Sequence, residues 1–530
     1  ILEHGGHPGR FAPYLPAGAD HYHFGFHSNL AAFIWLLPAP ADGGNFPIHE
    51  AMLIFGQVLN ALMVFPVYLL TKTLTRSRSA ALTAALMVAA FTLMPAYYAS
   101  WGRYTQLAGL LILPAALTLT LTVIGKQPSA DSRQPSAIRH LPPAALTLAG
   151  LFLVHYRVTA FWGALLLAYL LFQVSPRKWL PAIGWLAVLG AAVFVLLLPW
   201  LPETLVNLLI PTGKKLSNGQ AAWSGIPWGF LRSGLGIPAL WMAGIGLALG
   251  LVLRRRFPFT VLAWTALLYL MANLGVFANV PGAGFINPVS MEITLFMPIA
   301  VLGGFAVGGG LEVVDRLTAF LARRVSTAGL LHSPSAQRDD APPEPVEKPG
   351  ANAGLAVLSG LPVLVRGALV LLGAWAGVLG AQRLLPTLNP GTFLAREADF
   401  PAIRWIDDNI PAGETILINP AAWGYGLYMG SDGGFWISAL TAHPTLPPPV
   451  LYGMGTRAER EHVNAVVEAV QAAGSDPDAL WEIMEAEGIR YVYLGARGGV
   501  ISPRALERSA RFAVRYHEGV TWVFERREAE

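Results

Sequence analysis

Cysteine is absent from all 530 residues. The chain therefore has no disulfide framework and no thiolate metal site, and its redox compartment leaves no mark on the sequence. Charge is scarce: Asp, Glu, Lys and Arg make up 13%, against roughly 25% in soluble globular proteins. That shortage excludes an ordinary soluble enzyme. The excess of one sign is small, 36 basic against 32 acidic side chains, net +4. Spread over short loops, it encodes orientation in a membrane and not a nucleic-acid surface. No P-loop, GxSxG, HExxH or paired CxxC motif occurs, which argues against an ATP-driven pump and a metalloprotease. No internal repeat is visible, which weighs against an inverted-repeat transporter.

Long apolar runs are what the chain has instead, within a total of 54% hydrophobic residues. Runs that approach ~18–20 residues can cross a bilayer. The expected spans are Ala51–Leu70, Ala80–Tyr98, Tyr104–Ile124, Leu180–Leu201, Pro238–Leu253, Pro258–Phe277, Ile293–Gly310 and Leu355–Leu379. Pro142–Phe172 is apolar but interrupted at His155-Tyr156-Arg157. It reads as a hairpin of two short helices, giving about ten spans in all. The basic clusters fall on one side if the hairpin counts as two crossings. They are Lys72/Arg76/Arg78, Lys126/Arg133/Arg139, Arg177/Lys178, Arg254–Arg256 and Arg316/Arg323/Arg324. The positive-inside rule makes that side cytoplasmic. The expected class is thus a multi-pass prokaryotic cell-membrane protein, with its carboxy-terminal domain outside.

Five regions follow. Residues 1–50 form an extracytoplasmic juxtamembrane segment, 51–313 a transmembrane domain, 314–354 a cytoplasmic disordered linker, 355–382 a last span and 383–530 an extracytoplasmic α/β domain. The linker reading rests on the Pro-, Ala- and charge-rich stretch 326–354. In the last region Glu414–Asn419, Ile489–Gly495, Val514–His517 and Val520–Glu525 read as strands. Arg457–Ala473, Asp476–Glu487 and Pro503–Ala510 read as helices, with Ser475 or Asp476 as an N-cap. The chain opens at Ile1 on a polar, His-rich segment without a signal-peptide pattern, and a membrane helix is expected ahead of it.

Chemistry can sit at several places. In GADHYHFGFHSNLAAF (18–33), His23 and His27 are four apart and share a face on a helix. With Asp20 and His21 they make either a carboxylate-plus-imidazole set for a divalent cation or the polar face of an interfacial helix. In SWGRYTQLAGLLILP (100–114), Arg103 stands at the outer end of a span. There it can hold a lipid phosphate or, with Trp101 and Tyr104, simply anchor the interface. His155 and Arg157 at the hairpin tip line a cavity or snorkel to the surface. Lys214 and Lys215, with Trp223 and Trp228, suit an anionic lipid carrier or a saccharide, or a solvated loop. Asp432, Trp436 and His443 can contact a sugar, or serve a turn and a core.

Taken together, these stretches resemble the GT-C superfamily of integral-membrane glycosyltransferases, in particular the protein mannosyltransferase and Rgt-type group. The likeness is carried by HYHFGFHSNLAAF, WGRYTQLAGLLILP, the HYR break, RWIDDNIPAGETILIN (404–419), DGGFWISALTAHPTLPP (432–448) and GIRYVYLG (488–495). It implies a polytopic helical membrane domain with a small extracytoplasmic α/β domain. It also implies sugar transfer from a polyprenyl-phosphate donor to a glycan, lipid or protein acceptor outside. The acid that such enzymes carry in the first external loop maps to Asp20, among Glu3, Asp20, Asp42 and Glu50. Arg103, Arg157, Lys214 and Lys215 would bind the lipid phosphate, and His23, His27, His155, Asp432 and Trp436 the substrate. The second external loop, Tyr98–Gln106, lacks an acid, unlike the metal-dependent oligosaccharyltransferases. Membrane lipids are expected partners, and nucleic acid is not. The competing classes are a lipid-linked saccharide transporter or flippase and a non-catalytic scaffold of envelope polysaccharide assembly.

Overall fold

The computed structural model describes residues 1–2, 5, 11, 14–15, 22–38, 46–125, 136–206, 210, 223–277, 283, 285–286, 288–331, 349–441 and 443–528. Two compact units emerge. One comprises Ile1–Met52, Leu198–Leu216 and Asn389–Glu530, the other Leu53–Leu197 and Ser217–Leu388.

The helical unit is built from apolar helices: α2 (Ile48–Leu62), which begins in the other unit and continues into α3 (Val64–Thr75), α4 (Arg78–Ala90), the short α5 (Tyr97–Trp101), α6 (Tyr104–Gly125), α7 (Ser136–Val154), α8 (Tyr156–Gln173), α9 (Trp179–Leu197), α10 (Gly236–Val252), α11 (Phe257–Ala272), α12 (Phe296–Leu331) and α13 (Pro349–Leu384). Preceding them, α1 (Gly25–Leu36) belongs to the first unit. Among the described residues, six helical segments are long and apolar enough to cross a membrane, and four shorter apolar helices accompany them. Together they match the expected set of about ten. Helix α12 packs against α4, α10 and α13, α6 against α3, α7 and α8, and α8 against α11. Small residues permit the closest of these approaches. A Cβ at Gly304 of α12 would lie 2.3 Å from the Ala80 carbonyl oxygen on α4, so only glycine fits there.

The boundaries differ from expectation in three places. The run Ala80–Tyr98 is not one helix: α4 stops at Ala90, where the Thr92 hydroxyl bonds to the Met94 carbonyl and Pro95 has no N–H to extend the ladder. The two helices at the HYR break are not short, at 19 and 18 residues, because Ser136–Leu141 is helical ahead of the apolar run. The linker 326–354 is helical at both ends, to Leu331 and from Pro349. Its middle, 332–348, lies outside the described residues.

The other unit holds a five-stranded sheet, order β4-β1-β5-β7-β6. The strands are β1 (Ile416–Ile418), β4 (Thr445–Leu446), β5 (Tyr491–Leu494), β6 (Phe512–Glu518) and β7 (Thr521–Arg526), while β2 (Pro420–Gly424) and β3 (Leu427–Gly430) form a separate hairpin. β1 runs parallel to β4 and β5, and β7 antiparallel to β5 and β6. Alternation along each strand feeds two cores. Leu417, Val492, Leu494, Trp522 and Phe524 join helices α15 (Arg457–Ala473), α16 (Pro477–Ala486) and α17 (Pro503–Arg508) through Val470, Leu480, Met484 and Leu506. Ile416, Ile418, Tyr491, Tyr493 and Val523 meet Ala402, Ile403 and Ile406 of α14 (Asp399–Asn409) on the other face. Asp476 caps α16, accepting from the Asp478 and Ala479 amides, and Thr456 with Glu459 closes a capping box on α15.

Candidate functional site

Two places bring sequence-selected residues together, one in each unit. In the helical unit, His155 is the single residue between α7 and α8. Its N–H bonds to Leu151 O of α7, and its carbonyl accepts from Val158 and Thr159 of α8. Its extended backbone, φ −165° and ψ 99°, breaks the run. The first turn of the 18-residue α8 therefore starts at the break, with its Val158 and Thr159 amides closed onto the His155 carbonyl. Arg157 stands in that turn, half-buried, its guanidinium carbon 5.9 Å from the centre of the Phe285 ring. Phe285 also stacks on Tyr156 at 5.1 Å. The Arg157 Nε–H is buried with no hydrogen-bond partner among the described residues.

Helix α6 reaches the same place. A Cβ at Gly109 would lie 3.0 Å from Val158 Cγ2 and 3.2 Å from His155 Cβ, so glycine there lets α6 lie against the break. Arg103 sits six residues earlier, about 9 Å along the helix axis. Gly102, at φ 67°, ends α5 and turns the chain into α6. The Arg103 guanidinium lies 4.5 Å over the Trp101 ring, which stacks on Phe230 at 5.9 Å. Gln106, fully buried, donates to Ser290 O at 2.9 Å and to Thr294 Oγ1 at 3.3 Å. Arg103 and Arg157 thus sit at the starts of two helices that pack together, and a guanidinium is suited to bidentate binding of phosphate oxygens.

In the other unit, His23 and His27 border a cavity of about 740 Å³. His23 precedes α1 and is buried, with the Tyr22 ring tilted against it at 3.9 Å, while His27 lies in the first turn. The cavity has an apolar wall of Leu30, Ala31, Ile34 and Leu451 and polar groups from Asp407, Ser438 and Thr441. His27 is accessible through the opening yet ringed by protein, and this desolvation holds its imidazole below the ordinary value.

The remaining candidates separate. Asp20, His21, Lys214 and Lys215 lie outside the described residues. Trp223 packs on Tyr269 and Phe277, and Trp228 lies under Arg232. Asp432 is fully buried and turned inward. It accepts from Asn419 Nδ2 at 3.0 Å, the Gly434 amide at 3.0 Å and the Gly495 amide at 2.7 Å. Burial pushes its carboxyl up to about 6, with the nearby Asp399 adding to the effect against those three donors. Trp436 is half-buried against the α14 face of the sheet, and His443 is buried with Nδ1 3.2 Å from Glu414 O. No group of three His, Asp or Glu side chains placed to hold a metal occurs among the described residues. Sequence reading missed Gln106, Phe285 and Asp407. Gln106, a lone amide in an apolar run, carried the clearest signal.

Residues 51–523 match the family described as "Family of unknown function (DUF6541)". No protein of curated function matches the sequence. Among solved structures, ArnT from Cupriavidus metallidurans in the apo state is similar at 13% identity and TM-score 0.50, over 97% of this chain and 87% of that one. The same protein bound to undecaprenyl phosphate scores 0.48 at 13% identity, over 94% and 86%. The Archaeoglobus fulgidus oligosaccharyltransferase scores 0.44 at 12%, over 89% of this chain and 60% of that one. The likeness to apo ArnT is one of fold alone. It carries no subgroup.

Proposed function

The chain belongs to the DUF6541 family, and we propose that it is a membrane glycosyltransferase using a polyprenyl-phosphate-linked sugar on the extracytoplasmic face. The observation that carries this reading is the Nε–H of Arg157, half-buried in the first turn of α8 and without a hydrogen-bond partner among the described residues. A half-buried cation with no carboxylate beside it among the described residues is costly at membrane depth. A lipid phosphate at this depth would offset that cost. The fold likeness to ArnT and the second guanidinium, Arg103, at the start of α6 support it. Lys214 and Lys215 are further candidates from the sequence for holding a lipid phosphate.

In the proposed step the acceptor hydroxyl oxygen forms a bond to the anomeric carbon, and the bond from that carbon to the phosphate oxygen breaks. The polyprenyl phosphate leaves with the electron pair, held by the two guanidinium groups. The acceptor proton passes to a carboxylate base, for which Asp20 is the candidate. Attack opposite the leaving group inverts the anomeric centre.

The test is transfer from a panel of radiolabelled polyprenyl-phosphate sugars, with the full-length gene product in membranes. Arg157→Ala should lower transfer about ten- to hundredfold, the worth of a charged hydrogen bond, and Arg157→Lys should restore only part. Asp20→Asn should abolish it. Transfer untouched by Arg157→Ala and Arg103→Ala would sink the assigned site. No transfer from any donor by the folded protein would favour a flippase or a scaffold.

A further inference from the structure

The sequence points to aromatic contact with a sugar at Trp436, yet the exposed aromatic rings of this domain lie elsewhere. The β2–β3 hairpin carries Trp423-Gly424-Tyr425-Gly426 at its tip, with Trp423 43% and Tyr425 72% exposed. Among the described residues neither ring meets another ring or makes a side-chain hydrogen bond. Tyr425 stands at φ 55°, between Gly424 at 117° and Gly426 at 68°. A tyrosine holds that left-handed conformation only where its surroundings impose it. They do so from beneath. Asn464 Nδ2 of α15 donates to Gly426 O at 2.6 Å, Tyr452 Oη accepts from the Tyr428 amide at 2.8 Å, and the Tyr452 hydroxyl donates to Asn464 Oδ1 at 2.7 Å. The tip is thus a braced platform for two exposed rings.

The flank of the hairpin defines what such a platform takes. Tyr428 donates to Glu468 Oε1 at 3.0 Å, and the second oxygen of that exposed carboxylate stays available. Residues 420–430 carry no charge at all. A tip made for an anionic bilayer or a nucleic acid would carry Lys or Arg. Flat aromatic faces beside an acceptor carboxylate suit a pyranose instead: its C–H face stacks on the ring and its hydroxyls donate to the carboxylate.

We propose that the 420–430 hairpin is a binding site for an uncharged pyranose glycan. Naming that glycan as the acceptor or growing product rests on the transferase reading, whereas the binding itself does not. The experiment is a titration of the full chain in nanodiscs with short gluco-, manno- and galacto-oligosaccharides and no donor. At least one series should bind. Trp423→Ala and Tyr425→Gly, the latter relieving the backbone, should each weaken it about tenfold, and Trp423→Phe should keep it within about threefold. Circular dichroism and thermal midpoints should match the wild type. Absence of binding at millimolar glycan, or binding indifferent to both substitutions, overturns the proposal. So does quenching of a dye on Tyr425→Cys by brominated lipid, which would place the tip in the bilayer. Because the readout uses no donor, a chain that transfers sugar but shows no such binding loses only this inference.

Discussion

Asp432 shows how one residue type can be read two ways. In DGGFW its neighbours are glycine and aromatics, which suits a sugar-facing carboxylate or a turn. The deciding facts are tertiary: Asn419 directly follows β1 and Gly495 directly follows β5, and both aim donors at the same oxygen. Replacing that carboxylate with an amide sets a donor against at least one donor. Asp432→Asn should cost about 1–3 kcal/mol per unmet group, read as a lower urea midpoint of the domain by pulse proteolysis. The pH dependence has a definite sign. The folded carboxyl titrates at about 6 against 3.8 unfolded, so the folded state holds the proton more tightly. Stability from this group is therefore full below pH 4, declines as pH rises to about 6 and is level above. The change is on the order of 3 kcal/mol. The same melts between pH 4 and 7 test it, and Asp432→Asn should remove this contribution.

At the scale of elements, period and punctuation made most of the architecture legible. Arg457–Ala473 has the bounds expected for a helix, and Asp476, followed by Pro477, marked the next start. Asp476→Ala should therefore cost about 1 kcal/mol by the same urea assay, and an unchanged midpoint would deny the cap its role. The β2–β3 hairpin was not legible. Its first strand, PAAWG, has no alternation, and side chains of α15 and the Val450–Met454 turn hold it. Likewise α14 was seen only as part of a family-like stretch. Among the membrane helices, the break at His155 could be read from one polar triplet in an apolar run, whereas the closeness of α6 to it could not. Gly109→Leu would drive a side chain into Val158 and His155. It should part α6 from α8 and depress transfer about tenfold or more, while Gly150→Leu, with open space around it, should not. Equal activity of the two variants would detach Arg103 from the proposed site.

At the scale of the whole molecule, the proposed chemistry stands or falls on orientation. Arg78 after α3, the Arg254–Arg256 run after α10 and Arg316 on α12 come out on one side only because α7 and α8 each count as a crossing. The proposed reaction needs the HYR break and the start of α6 on the opposite side. The chain has no cysteine, so each introduced thiol is a clean reporter. Arg78, Arg256 and Glu507 are all exposed positions. In intact cells a membrane-impermeant maleimide should label Glu507→Cys, and it should label Arg78→Cys and Arg256→Cys only after permeabilisation. The reverse pattern would put Arg157 and the domain in the cytoplasm and remove the extracytoplasmic reaction. Labelling of Arg78→Cys and Arg256→Cys from opposite sides would mean that the helices on either side of His155 do not make two crossings. Arg157 would then sit at the wrong depth for a headgroup phosphate.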